Sequence, residues 1–229
     1  MSAVLQVKNL CKKYISNNGI ETAALNGISL SIEENEMVAV MGSSGSGKTT
    51  LINILTGLME ADSGTIQING RDYCHMDKDE LAEFRRKEIG IVFQNYNLID
   101  SLTVDENIRV PLILDQRTEK QEEKVRAAAA MLGIEGELEK YPYEISGGQQ
   151  QRAGICRAIM NDPKIIFADE PTGNLDAAST KQVMEYFVKA CKTKGASLLM
   201  VTHDPVAASY CDREIILGEK NGGLDHAAS

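Results

Sequence analysis

The chain has no tryptophan, and only 5% of its 229 residues are aromatic. So few flat rings argue against a platform that stacks the bases of single-stranded nucleic acid. Positive charge is also scarce: the formal net charge is −9 and the pI about 5.0. Nonspecific nucleic-acid binding draws its affinity from Lys and Arg on phosphates, so that class is disfavoured too. No apolar run approaches the roughly 20 residues of a membrane-spanning helix, and Leu198-Leu199-Met200-Val201 is typical of the longest. Any membrane role is therefore expected to come through a partner chain. The five cysteines, Cys11, Cys74, Cys156, Cys191 and Cys211, are scattered and form no C-x-x-C. An odd, dispersed set reads as reduced thiols in a cytosolic protein. Met1 to Leu10 alternates polar and apolar residues and does not read as a signal peptide. There is no internal repeat and no low-complexity linker.

What is present is a large core. Hydrophobic residues make up 43% of the chain, and the length suits one large domain or a core with a sub-domain. Val4–Lys8, Ile28–Ile32 and Ser63–Gly70 read as amphipathic strands, with a further short one over Ile20–Leu25. Together they predict an antiparallel layer. Met37–Met41, Ile89–Phe93, Ile165–Ala168, Ser197–Val201 and Glu214–Leu217 are short apolar runs suited to buried parallel strands. Helices are predicted over Thr49–Gly57, Asp77–Glu88, Asp176–Lys192 and Val206–Cys211. Between Asn95 and Cys156 only helix and loop are expected, with helices over Val104–Leu114 and Thr118–Leu132. The charged run Glu119–Lys124 is most simply a solvated helix face. From Gly218 the tail reads as polar and frayed. The pattern is an α/β core interrupted by a helical insert.

The stretch Gly42-Ser43-Ser44-Gly45-Ser46-Gly47-Lys48-Thr49-Thr50 fits G-x-x-x-x-G-K-[ST]. A strand precedes it and a helix follows, which a phosphate cradle requires and a mere Gly/Ser-rich surface loop does not. The glycines let consecutive backbone N–H groups point into one concavity, and the helix end adds partial positive charge. Lys48 is expected on the β- and γ-phosphates of a nucleotide and the Thr49 hydroxyl on Mg²⁺. A second carboxylate-bearing strand is needed, and Lys164–Glu170 supplies it. Asp169 falls at the carboxyl end of a buried strand, where open α/β sheets place their ligands; it is expected to hold Mg²⁺ through water. Glu170 is the candidate for polarising an attacking water. Ser146 is a good N-cap for the helix that follows it, and Gly147 and Gly148 bare that helix's first N–H groups. The chain thus carries two anion sites.

At these residues the chain resembles the ABC ATPases. Glu144-Ile145-Ser146-Gly147-Gly148-Gln149-Gln150-Gln151-Arg152 is similar to their signature motif, upstream of the Asp169-Glu170 strand as in that family. The resemblance covers Val4 to about Gly218. It implies a RecA-like P-loop NTPase core of α/β class, residues 1–94 plus 157–229, with an N-terminal antiparallel β layer. The helical insert, 95–156, would carry the signature. It further implies ATP hydrolysis by a head-to-tail homodimer, each ATP held between one subunit's P-loop and the other's Ser146, Gly147, Gly148 and Gln149. Tyr14 would stack on adenine. Gln94 would contact Mg²⁺ or water and report to the insert, Asp176 would cross the dimer interface or N-cap the next helix, two compatible roles, and His203 would contact the γ-phosphate and position the water. Lone Tyr and His residues are more often structural, so these two rest on the surrounding motifs. His75 and His226 receive no role. Ile145 stands where Leu is commoner, and Cys156 where a small Ala is usual; both bear on packing alone.

Finer likenesses narrow the branch. Ala168–Asp176 looks like the ATPases of lipoprotein release, macrolide efflux and antimicrobial-peptide transport. Gln94–Val104, Tyr141–Glu144 and Ala208–Cys211 are similar to the bacitracin and lantibiotic-resistance group. The implied partner is a separate membrane permease docking near 96–108, with the ATPase peripheral on the inner face of the cell membrane. Lipoprotein release, macrolide efflux and a regulator of cell-wall remodelling that transports nothing are the alternatives. A soluble ABC ATPase acting on ribosomes or DNA fits less well, because the chain has one cassette, no heptads and no basic excess.

Overall fold

The computed structural model describes residues 3–16, 18–116, 120–218 and 224–226. Two sheets lie at its centre. The first contains β1 (Ala3–Ile15), β2 (Glu21–Glu33), β4 (Ser63–Ile68) and β5 (Arg71–Asp72), in the order β2-β1-β4-β5 and antiparallel throughout. The expected antiparallel layer is there, but its first two strands are longer than the local patterns suggested. The short strand expected over Ile20–Leu25 is the start of β2. Register shifts in β1 between Val7 and Lys13 break the alternation that a pattern reading follows, while pairing continues to Ile15↔Glu21.

The second sheet contains β3 (Met37–Met41), β6 (Ile89–Val92), β7 (Ile165–Asp169), β8 (Ser197–Thr202), β9 (Arg213–Leu217) and β10 (Leu224–His226). Its order is β10-β9-β3-β8-β7-β6; all neighbours are parallel except β10 on β9. The tail expected to fray from Gly218 is thus corrected over Leu224–His226, whose backbone pairs with β9 from Leu217 to Ile215. An edge strand completed by main-chain bonds needs no apolar pattern, so the composition gave no warning of it.

The strands are buried on both faces, and their period of two divides the core. Val38, Val40, Ile165, Phe167, Leu199 and Val201 face the antiparallel layer, helix α1 (Lys48–Leu55) and helix α2 (Lys78–Glu88). Met37, Ala39, Ile166, Ala168, Leu198 and Met200 face the other way. There they meet α3 (Val104–Leu114), α4 (Gln121–Met131), α5 (Gly147–Ala158) and α6 (Ala177–Lys194), with α7 (Pro205–Ala208). Between β6 and β7 the described residues form only helices and short 3-10 turns, as expected. The beginning of the helix predicted from Thr118, with Glu119, lies outside the described residues. Helix termini follow local chemistry. Asp77, Thr103 and Ser146 close capping boxes with Glu80, Glu106 and Gln149, and Asp176 caps α6. Pro111 breaks the backbone bonding inside α3, and the amide of buried Asn161 donates to its carbonyl. No helix among the described residues is long and apolar enough to cross a membrane.

Candidate active site

Sheet order assembles the site. In sequence the P-loop comes first, then Asp169-Glu170, then His203. In space β8 lies between β3 and β7, with Met41 opposite Thr202 and Val201 opposite Asp169. The loops leaving three adjacent strand ends therefore emerge together at the carboxyl edge of the sheet. They border a cleft of about 600 Å³, lined by Tyr14, Thr22–Ala24, Ser44, Gly45, Gly47–Thr50, Glu170 and His203.

The loop between β3 and α1 is held from several sides. Gly47 sits at φ +96° at the start of α1, and a Cβ there would lie 2.4 Å from the Ala24 carbonyl oxygen of β2. Only glycine permits that approach. A Cβ on Gly42 would meet Ser46 Oγ at 2.5 Å. The Ser46 side chain is buried within the loop, and its Oγ has no partner. Buried Lys48 donates to the carbonyls of Gly42 and Ser43 at 2.7 and 2.9 Å, placing its ammonium at the centre of the loop. No side chain caps α1 and its first turn holds no acid, so its leading N–H groups are free for an anion. Tyr14, paired with Thr22, forms the far wall. Its hydroxyl lies 3.2 Å from Thr50 Oγ1 and donates to Met59 Sδ, which fixes the ring beside the cleft.

Asp169 ends β7 half-buried. Desolvation raises its carboxyl above the ordinary range, the charge of Glu170 adds to this, and Lys48 opposes it. The next residue turns sharply: Glu170 has φ +44°, and its N–H donates to the Val201 carbonyl at 2.9 Å. A left-handed glutamate costs on the order of 1–3 kcal/mol and persists only where its surroundings fix it. Beyond this turn Glu170 Oε2 lies 2.6 Å from His203 Nδ1. Glu170 is mostly buried, whereas the histidine is 65% exposed and open to the cleft. A carboxylate oriented by an imidazole beside a phosphate cradle is arranged to polarise water against a phosphoryl group.

The other expected site residues lie elsewhere. None of Ser146, Gly147, Gly148 and Gln149 lines the cleft. Gln149 donates from its backbone N–H to Ser146 Oγ, and its side chain bonds the Ser146 N–H and Glu137. Gln94 also lies outside the cleft lining. Its amide nitrogen would touch a Cβ on Gly173 at 2.9 Å, and its carbonyl accepts from Asn174. Asp176 accepts from the N–H groups of Ala178 and Ser179 and from the Ser179 hydroxyl, which hold its carboxyl below the usual range.

A protein-family model described as ABC transporter matches residues 25–173. The chain belongs to the ABC transporter family. It is 50% identical over 225 residues to the ABC transporter ATP-binding protein YxdL of Bacillus subtilis, covering 98% of this chain and 86% of that protein. It is 45% identical over 216 residues to the bacitracin export ATP-binding protein BceA of Halalkalibacterium halodurans, covering 94% and 85%. Among solved structures, the ATP-binding cassette MJ0796, a dimer in a post-hydrolysis state with ADP and Pi, superposes with a TM-score of 0.87. That pair is 35% identical, covering 98% of this chain and 99% of the other. The chain is the ATP-binding, ATP-hydrolysing subunit of an ABC transporter.

Two parts of this ABC ATPase site escaped the sequence reading. Thr22–Ala24 supply a wall and the carbonyl under Gly47; the Tyr14↔Thr22 register would have found them had β1 and β2 been read as one hairpin. Partly buried Arg157 donates to the carbonyls of Tyr96 and Asn97 just past Gln94. No side-chain pattern announces a contact made to carbonyls.

Proposed function

We propose that this ATPase works as a head-to-tail homodimer that drives a separate membrane permease exporting, or conferring resistance to, antimicrobial peptides. One observation carries the dimer. Among the described residues two helix starts are bared by glycine, those of α1 and α5, and of these the first alone borders the cleft with Glu170 and His203. A second copy presenting Ser146–Gln149 would close each cleft over its ATP. Peptide export is supported by the motif likenesses at 94–104 and 141–144 and by 45% identity to a bacitracin export ATPase.

In this reading Tyr14 stacks on adenine, the P-loop from Gly42 to Thr50 cradles the phosphates, and Lys48 leaves its own carbonyls for the β- and γ-oxygens. Glu170 polarises the water, and His203 orients Glu170 and meets the γ-phosphate. Thr49 and Asp169 form an all-oxygen donor set suited to Mg²⁺, with Gln94 at the loop edge; bound there, the ion would neutralise phosphate charge. Among the described residues no cluster of His, Cys, Asp or Glu could hold a metal by itself, so the ion would arrive with the nucleotide. Asp176 crosses the interface. The core 1–94 plus 157–229 carries hydrolysis and the insert 95–156 carries its result. The permease docks on 96–108, where Ile99 is 45% exposed, and holds the ATPase at the inner face of the cell membrane.

Glu170→Gln tests the core of this. It is expected to lower turnover by about 10²–10⁴-fold while ATP binding persists, and to trap an ATP-dependent dimer in sedimentation. Wild-type turnover would remove Glu170 from its role. A monomer at all ATP concentrations would remove the shared site. Charge reversals across 96–108 that leave permease binding intact would remove the docking surface.

A further inference from the structure

The capping box that opens α5 differs from two others in this chain. At Asp77 and Thr103 the reciprocal partner is a glutamate, Glu80 or Glu106. At Ser146 it is Gln149, whose Oε1 accepts from the Ser146 N–H at 2.8 Å. Capping alone favours a carboxylate here, because its charge also suits the positive end of a helix. What an amide adds lies in its other half. A carboxylate offers acceptors only, whereas glutamine accepts with Oε1 and donates twice with Nε2.

Both ends of the Gln149 amide are committed. Oε1 is taken by Ser146, and one Nε2 hydrogen goes to Glu137 Oε1 at 2.9 Å. A backbone N–H only donates and an ionised carboxylate only accepts, so the amide sits one way round. Among the described residues Nε2 bonds no further acceptor, which leaves its second hydrogen over.

Glu137 is itself held. Its side chain is 20% exposed, its N–H donates to the Ile134 carbonyl, and its carbonyl accepts from Lys140, both at 3.0 Å. The Leu138 and Lys140 carbonyls accept from Asp105 and Val104 at the start of α3, at 2.9 and 2.8 Å. The second carboxylate oxygen, Oε2, lies 2.7 Å from Lys140 Nζ. That ammonium offsets a negative charge which would otherwise stand uncompensated beside a phosphate seat.

We propose that Glu137 is a positioning residue that aims the Gln149 amide, so that its spare N–H is offered as a donor to the phosphates of the second nucleotide. Without Glu137 the Ser146 N–H still holds Oε1, but Nε2 is free to swing about that bond. The proposal rests on the reading of Ser146–Gln149 as a seat for the second nucleotide, while the aim of the amide is set within one chain.

The experiment measures ATP-dependent dimerisation by sedimentation in Glu170→Gln chains, with thermal melts alongside. Glu137→Leu removes the acceptor. Each of the two shared sites is expected to weaken by about tenfold, the scale of one hydrogen bond to a charged group, so the dissociation constant rises roughly a hundredfold. Glu137→Gln still accepts through its own amide oxygen and is expected to stay within about tenfold of the parent. The double variant Glu137→Gln, Gln149→Glu keeps both internal bonds with donor and acceptor exchanged, but has no spare donor. It is expected to melt like the parent and to dimerise as poorly as Glu137→Leu. Parent-like dimerisation by Glu137→Leu overturns the proposal. So does recovery of dimerisation in the double variant, which would reduce Glu137 to a support for the cap. A Glu170→Gln parent that does not dimerise would fail the shared-site reading instead. The amide is then read in the monomer by its side-chain proton–nitrogen resonances, assigned by their loss in Gln149→Glu. The proton bonded to Glu137 is expected downfield of its twin and to move upfield in Glu137→Leu; an unmoved resonance overturns the proposal.

Discussion

Gly45→Ala and Gly47→Ala form a matched pair that isolates one contact. Both glycines lie in the phosphate loop at positive φ, +84° and +96°. A methyl at 45 meets nothing within 4 Å, whereas one at 47 would lie 2.4 Å from the Ala24 carbonyl oxygen and 3.1 Å from Leu25 Cδ2. Both substitutions incur left-handed strain of roughly 1–2 kcal/mol. At 47 the carbonyl belongs to β2, between Ala23 and Leu25, which pair with Lys13 and Lys12, so relief of the contact requires the loop to retreat by close to an ångström. Overpacking of that kind costs roughly 1–3 kcal/mol more. At about 2–4 °C per kcal/mol for a domain of this size, Gly47→Ala is expected to melt roughly 2–12 °C below Gly45→Ala. The assay is thermal unfolding without nucleotide, because a methyl at 45 also faces the phosphates and would confuse an activity comparison. Equal melting temperatures would refute the claim that β2 supports the phosphate loop.

Tyr14→Ala is expected to weaken ATP binding by the roughly 1–3 kcal/mol of one stacked base, about 5- to 150-fold by titration calorimetry, while Tyr14→Phe stays near the parent. Asp169→Asn removes a carboxylate whose charged form is disfavoured by burial and by Glu170. It is expected to abolish turnover while melting at or above the parent temperature, and a clear drop in melting temperature would contradict that assignment. Asp176 has a depressed carboxyl pKa, so its cap is fully present above the ordinary value near 4 and is lost as pH falls through the lower folded value. Asp176→Ala should therefore lower the melting temperature at neutral pH and approach the parent only below about pH 4, as thermal melts across pH would show.

The parts of this fold that were legible in the sequence carry their information in side chains. Met37–Met41, Ile165–Ala168 and Ser197–Val201 announced a buried parallel sheet by being apolar on both faces. Ser146 and Asp176 announced helix starts by their chemistry. Lys48, Glu170 and His203, which the structure brings to one cleft, stood out because their motifs call for particular functional groups. What could not be read is made of main chain. The support under Gly47 is a carbonyl of alanine, β10 is held by ladder bonds, and the Tyr96–Asn97 turn is gripped by a guanidinium on two carbonyls. The left-handed turn at Glu170 is equally silent, since glutamate is not a residue that signals positive φ.

The alternation along β3, β7 and β8 has a consequence for how this protein tolerates change. Each residue on these strands belongs to one side of the sheet only, so side chains facing the insert and side chains facing the phosphate loop share no packing partner. Substitutions on the two sides are separated by a full layer of hydrogen-bonded backbone and are expected to act additively. The helical side can thus be resculpted, residue by residue, without repacking the side that faces the phosphate loop. The sheet acts as a bulkhead between two cores that can change separately.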